Sequence, residues 1–322
     1  MQFGLSEEQI LLLDNVNRFL DDNSPLDRVR AYADGGDDAD IWAGLTELGV
    51  PALLIPEAQG GIGLNPLDAA IVAESLGAHI TPSPFLGTAV MAPTALVASG
   101  GKYDDLLAEI AAGTHRVGIA FSEAIKRRND AQVEARDGRL FGKSLFAFDA
   151  DADSYLVADQ KQHLYLVAAD DPGLTRTHLT TVDKTRRTVE LTYDNAAAQS
   201  VSTDIRVFES VLDIGRVAIA ADTMGAAQNM LDQAVEYAKQ REQFNRPIGS
   251  FQAVKHMCAE MAAQLEPCRS MVWFAGHALA ELPEEARVTA CHTKAHLAEV
   301  AQFVAKTATE VHGGMGFTDL VG

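Results

Sequence analysis

The chain has 322 residues, 47% hydrophobic and 22% charged, with a net charge of −19. That length supports two or three domains with a sizeable core, and the composition is that of an ordinary water-soluble globular protein. The acidic balance disfavours nucleic acid and anionic membrane as partners, because both need positive potential, and an anionic substrate needs local Arg and Lys set against the overall field.

The first element is predicted over residues 6–22. Ser6 and Gln9 have capping-box spacing, and Ile10, Leu13, Val16 and Leu20 recur at helical intervals. Asp40 to Leu48 reads as a second helix stopped by Gly49. The stretch from Val50 to Gly63 holds two prolines and three glycines and predicts a tight turning loop. Asn65 and Pro66 cap and start a helix running to Gly77, and helical patterns continue to about Ala112. From Arg116 the character changes to short apolar or alternating runs: 117–121, 132–134, 139–141, 154–157, 164–167 and 189–192. Gly, Asp and Pro separate them, and Asp137-Gly138 is a hairpin turn signal, so a small antiparallel β domain is expected. From about Asp204 long helices return, over 208–241, 252–282 and 284–311, the last two separated by Pro283.

The opening residues are polar and helix-initiating rather than basic then apolar, and no apolar run reaches membrane-spanning length. Cys258, Cys268 and Cys291 show no CxxC or metal-like spacing, which fits free thiols in a reducing compartment, so a cytoplasmic location is expected. His292 and His296 stand four apart without a third ligand in view, and no metal site is expected. His256 and His312 read as packing or hydrogen-bonding residues. Lys126-Arg127-Arg128 is the one basic cluster, read as a solvated loop or as a steering patch for a phosphate.

Two segments carry more information than these patterns. One is Tyr237-Ala238-Lys239-Gln240-Arg241-Glu242-Gln243-Phe244, followed by Phe251-Gln252-Ala253-Val254. The other is Val311-His312-Gly313-Gly314-Met315-Gly316-Phe317. Read alone, Arg241 is a solvated helix residue beside Glu236 or Glu242, and Gly313-Gly314 is a helix terminator. With Pro56-Glu57-Ala58-Gln59-Gly60-Gly61-Ile62-Gly63 and Glu74-Ser75-Leu76-Gly77, however, the chain resembles the acyl-CoA dehydrogenase family over nearly its whole length. The resemblance implies an α+β fold: an N-terminal helical domain (1–115), a middle antiparallel β domain (116–205) and a C-terminal four-helix bundle (206–322). It also implies FAD as cofactor, an acyl-CoA thioester as substrate and a separate electron-transfer acceptor. Arg241, Gln243, Phe244, Gln252, Gly313 and Gly314 then grip the adenosine-diphosphate half of the FAD held by a neighbouring subunit. The chemistry suits that role, since Arg offers a planar donor fork to phosphate oxygens and glycines admit close backbone approach.

The resemblance also implies a carboxylate base that removes the proton alpha to the thioester carbonyl. Of the family's two base positions, one lies beyond the Gly-Gly motif, past the point where this sequence stops. The other precedes an Arg in the first long C-terminal helix; that Arg corresponds to Arg216, and Gly215 stands before it. Asp213 is near but faces another way on a helix. Phe121-Ser122-Glu123-Ala124-Ile125-Lys126-Arg127-Arg128 stands where the family has Thr-Glu-Pro and a small-residue loop, so bulky and charged groups replace small ones. Phe146-Ala147-Phe148 stands for Trp-Ile-Thr, with loss of the hydroxyl. The sequence thus resembles the short, base-lacking subunit of heteromeric α2β2 acyl-CoA dehydrogenases, such as those acting on steroid side-chain thioesters, which pair with a catalytic paralogue. Two other assignments stay open at this stage: a self-sufficient homo-oligomer with an unusual base, such as Asp213 or a residue beyond a truncated end, and a flavin-free scaffold that binds a partner protein. No catalytic residue is assigned to this chain.

Overall fold

A computed structural model describes residues 4–125 and 131–318. The basic cluster Lys126-Arg127-Arg128 and the last residues of the chain lie outside the described residues. In chain order the elements are α1 (Glu7–Asn23), α2 (Leu26–Ala33), α3 (Ala39–Glu47), α4 (Pro66–Ala78), a π-helical turn (Phe85–Met91), α5 (Ala92–Val97) and α6 (Asp104–Ala111). Then come β1 (Val117–Ala120), α7 (Ser122–Ile125), β2 (Val133–Arg136), β3 (Arg139–Phe148), β4 (Ser154–Ala158), β5 (Leu164–Ala168), β6 (Leu174–His178), β7 (Thr188–Ala197) and β8 (Gln199–Ser202). The rest is α8 (Ile205–Gln240), the two-residue strands β9 (Glu242–Gln243) and β10 (Arg246–Pro247), α9 (Gln252–Glu281) and α10 (Pro283–His312). This is the expected order of helices, sheet and helices.

Residue contacts divide the chain into two units, neither of them continuous in sequence. One comprises Met1–Asp27, Pro66–Thr81 and Arg216–Gly322; the other comprises Arg28–Asn65 and Pro82–Gly215.

The first unit is helical. The predicted capping box opens α1: the Gln9 amide donates to the Ser6 hydroxyl at 3.2 Å, and the Ser6 amide to the Gln9 side chain at 3.0 Å. The Glu74-Ser75-Leu76-Gly77 motif has a packing explanation. Leu76 is core, and Glu74 accepts from Arg269 of α9 at 3.0 Å. Gly77 and Gly225 let α4 and α8 touch backbone to backbone: a Cβ on Gly77 would fall on the Asp222 carbonyl, and one on Gly225 on the Glu74 carbonyl. Only glycine permits that spacing. The four-helix packing of α4 with α8, α9 and α10 therefore draws one helix from the N-terminal region.

The second unit holds the sheet, in the order β6-β7-β3-β1-β4-β5-β8 with β2 on β3. Residues 137 and 138 both take positive φ, 49° and 73°, and close the β2–β3 hairpin as predicted. Pairing is antiparallel except between β1 and β4, where Val117↔Ser154 to Ala120↔Val157 run parallel. β1 lies between β3 and β4, so the turn at 149–153 carries the chain across its end and sets β4 alongside it in the same direction. Periodicity does not reveal that crossing. It also hides β6 and β8, polar strands with one buried residue each. The core face gathers Val133, Leu140, Tyr155, Val167, Val189, Leu191 and Tyr193. Gly49, at φ 78°, stops the turn after α3 as expected.

Candidate functional site

The motif residues near 241–252 and 311–317 meet at one end of the helical unit. α8 ends there, α9 begins there, and α10 returns to it. The buried His312 locks the meeting point: its Nδ1 lies 2.8 Å from the Ala308 carbonyl, and its ring stacks 4.6 Å from that of Tyr237 on α8. Thus His312 is the packing residue the sequence implied.

Between α8 and α9 the chain makes a miniature hairpin. β9 and β10 pair antiparallel, Gln243 opposite Arg246, and the two turn residues Phe244 and Asn245 have φ of 55° and 60°. Asn enters the left-handed region readily; Phe does so at a penalty. Phe244 is also 86% exposed. A strained, solvent-facing aromatic ring is unfavourable within the chain and points to an external contact. Phe244 meets Phe251 edge-on at 6.0 Å, and the Arg246 guanidinium sits 4.0 Å above the Phe251 ring. Arg246 belongs to this cluster and was not singled out by sequence reasoning; its place opposite Gln243 follows only from the hairpin register.

Arg241 is exposed just past the end of α8, its amide bonded to the Tyr237 carbonyl at 2.8 Å. The ion pair with Glu236 that sequence allowed is instead made by Lys239, and Arg241 has no carboxylate in ion-pairing range among the described residues. Gln243 and Gln252 are exposed too. The glycines have distinct roles. Gly313, at φ 60° and ψ −135°, takes a backbone conformation closed to other residues, while Gly316 needs its lack of a Cβ because one would approach the Thr309 carbonyl at 2.6 Å. Gly314 has ordinary φ and no atom within 4 Å of where its Cβ would stand. Nothing among the described residues requires glycine there.

In the sheet unit, Gly215 is buried on α8, and a Cβ there would meet the Met91 sulfur at 3.0 Å. Met91, from the π-helical turn, therefore fills the space beside position 215. Asp213 is 5% exposed. The segment that stands where the family has Thr-Glu-Pro and a small-residue loop begins as the short helix α7, held against β3. The Glu123 carboxylate is buried, receives the Leu145 amide at 2.9 Å, and accepts from the Ser122 hydroxyl at 3.0 Å; that hydroxyl also lies against the Leu145 carbonyl. Phe146, at φ 54°, is turned out and 44% exposed, while Ala147 is fully buried. Among the described residues no cluster of three His, Cys, Asp or Glu could hold a metal, and no helix is long and apolar enough to cross a membrane.

Comparison with known proteins agrees with this architecture. The family model for the acyl-CoA dehydrogenase N-terminal domain matches residues 6–113, and that for the acyl-CoA dehydrogenase C-terminal domain matches residues 205–321. The chain belongs to the acyl-CoA dehydrogenase family. It is 30% identical to acyl-CoA dehydrogenase IpdE2 of Mycolicibacterium smegmatis, over 98% of this chain and 89% of that protein. Among solved structures it resembles the Tcur3481-Tcur3483 steroid ACAD G363A variant, with a TM-score of 0.89, 28% identity, and 98% of this chain and 89% of that one covered. It also resembles the ChsE4-ChsE5 complex from Mycobacterium tuberculosis, with a TM-score of 0.87, 26% identity, and coverage of 99% and 90%. Acyl-CoA dehydrogenases are FAD-dependent oxidoreductases.

Proposed function

We propose that this chain is a cofactor-completing subunit of a heteromeric acyl-CoA dehydrogenase. It grips the adenosine-diphosphate half of FAD held by a catalytic paralogue and supplies no base from position 215. FAD, when bound, accepts the hydride that leaves the beta carbon of the acyl-CoA thioester. The observation that carries the reading is the end of the helical unit, which presents groups to an outside contact: among the described residues Arg241 has no carboxylate in ion-pairing range, Phe244 is strained and exposed, and Gly314 is uncrowded. Those residues fit the group. Arg241 pairs with pyrophosphate oxygens, Gly314 leaves room for its approach, and Gln243 and Gln252 donate to the adenosine side.

Two features argue against a complete site of the chain's own. Gly215 can neither take nor give a proton, and Met91 occupies the space a longer side chain would need. The segment that stands for the family's Thr-Glu-Pro and small-residue loop begins as the short helix α7, tied to β3 by the Leu145 amide on the Glu123 carboxylate. Similarity to a steroid ACAD and to the ChsE4-ChsE5 complex supports a heteromeric assembly and a bulky, steroid-type acyl-CoA substrate. An electron-transfer acceptor would reoxidise the pair.

The test is the visible spectrum of the purified chain alone and after co-expression with a full-length paralogue. Flavin absorbance and acyl-CoA-dependent dye reduction confined to the pair are expected. A yellow, active lone chain would refute the division of labour, and a colourless pair would refute any part in FAD binding.

A further inference from the structure

The β9–β10 hairpin carries a cation that the sequence motifs leave out of the adenosine-diphosphate grip. Gln243 pairs with Arg246 and Glu242 with Pro247, and the Ile248 amide donates to the Arg241 carbonyl at 2.7 Å, which extends the ladder back to Arg241. Side chains alternate between the two faces of such a ribbon, and residues directly opposite share a face. The register therefore sets Arg241, Gln243 and Arg246 on one face and Glu242 on the other. Arg246 is exposed, and among the described residues it has no carboxylate in ion-pairing range.

Arg246 is also held in place. Its guanidinium lies 4.0 Å from the centre of the Phe251 ring, and Phe244 meets that ring edge-on from the hairpin turn. Stacking uses the flat face of the guanidinium and leaves the N–H donors at its edge free. A long side chain already fixed in position loses less freedom on binding than a mobile one. The neighbouring cations are placed differently. Lys239 is paired with Glu236, and Lys255, one turn into α9, has no ring beneath it among the described residues.

We propose that Arg246 is the second cation of the pyrophosphate grip, with Arg241 and Arg246 each pairing with one of the two phosphates. This assignment rests on the cofactor-completing role argued above. Each phosphate of FAD carries a negative charge at neutral pH, so two guanidiniums on one face match the group. Arg241 alone would leave the other charge facing a chain of net charge −19. The stack on Phe251 also makes the position one for arginine, because lysine offers a compact point charge on a flexible stem and no planar fork.

Equilibrium dialysis of FAD from the co-expressed pair tests it. Arg246→Ala should weaken FAD binding about tenfold or more, the worth of one charge-assisted hydrogen bond. Arg246→Lys should restore only part of that loss. Lys255→Gln removes an exposed charge of the same sign and should change the affinity less than about threefold. Raising the salt from about 50 mM to about 500 mM should weaken FAD binding more in the wild-type pair than in Arg246→Ala, because the deleted contact is ionic and screened. A hairpin that had merely lost its shape would keep the wild-type salt response. The isolated Arg246→Ala chain should melt within about 3 °C of wild type, the size of one exposed stack. Unchanged FAD affinity in Arg246→Ala, with a loss in Arg241→Ala, overturns the role of Arg246 and leaves the grip standing. Unchanged affinity in both variants overturns the grip as well. Full recovery by lysine, an equal loss in Lys255→Gln, an unaltered salt response or a larger drop in melting temperature each overturns the assignment of Arg246.

Discussion

The three glycines that follow α10 give a test in which one motif yields three different outcomes. Gly314→Leu places a side chain where no atom of the described residues lies within 4 Å, on a backbone of ordinary φ. Stability of the isolated chain should stay within about 0.5 kcal/mol, as for other unencumbered surface positions. Gly313→Ala forces a Cβ into φ 60°, ψ −135°, and strain of that kind costs on the order of 1–3 kcal/mol. Gly316→Ala sets a Cβ 2.6 Å from the Thr309 carbonyl, and relief by backbone shift costs roughly 1–3 kcal/mol more. Melting of each isolated variant reads these differences directly. FAD content of the co-expressed pair, from the ratio of flavin to protein absorbance, reads the external role. Gly314→Leu should be silent in the first assay and severe in the second, with FAD retention weakened at least tenfold, about 1.4 kcal/mol. If Gly314→Leu destabilises the isolated chain like Gly313→Ala, or leaves FAD content intact, Gly314 does not serve a neighbour's cofactor.

Three further outcomes are expected. Arg241→Ala removes an exposed guanidinium without an internal carboxylate, so the lone chain should melt as before; FAD retention by the pair should fall roughly 10- to 100-fold, measured by equilibrium dialysis, since a charge-assisted contact is worth about 1.5–3 kcal/mol. Gly225→Ala drives a methyl onto the Glu74 carbonyl and the Ala78 amide across the α4–α8 contact, and chemical denaturation should show a loss of about 3 kcal/mol or a failure to fold. Asp149 is half-buried between Asp38, Asp151, Arg116 and Arg186, and burial above all raises its pKa from 3.8 to about 7. The native state therefore binds this proton more tightly than the unfolded chain, and the stability so gained is complete below about pH 4 and lost as pH rises through 7. Asp149→Asn should show no advantage at about pH 4 and an advantage of roughly 1–2 kcal/mol at about pH 8. That is well under the full shift, because the carboxylate keeps some contact with water. A variant curve parallel to wild type in thermal melts across that pH range would exclude this assignment.

Local rules made much of this protein legible before any fold was known. The capping box at Ser6, the helix stop at Gly49, the hairpin at Asp137-Gly138 and the long helices around 208–311 depend on interactions a few residues apart, and such interactions are written in the spacing of the residues themselves. The family pattern singled out Arg241, Gln243, Phe244, Gln252, Gly313 and Gly314, and the structure sets them where α8 ends, α9 begins and α10 ends. Pairings between distant segments were out of reach. The parallel seam of β1 with β4, the polar edge strands β6 and β8, and the burial of Glu123 against Leu145 are settled by which partner each segment meets, not by its own period. The same holds for the glycines: Gly77, Gly225, Gly313, Gly314 and Gly316 read alike in a sequence, but some are required by a crossing helix, some by backbone conformation or a close carbonyl, and one by nothing among the described residues. A side chain's cost or use depends on what stands next to it in space, and only the tertiary structure brings those neighbours together.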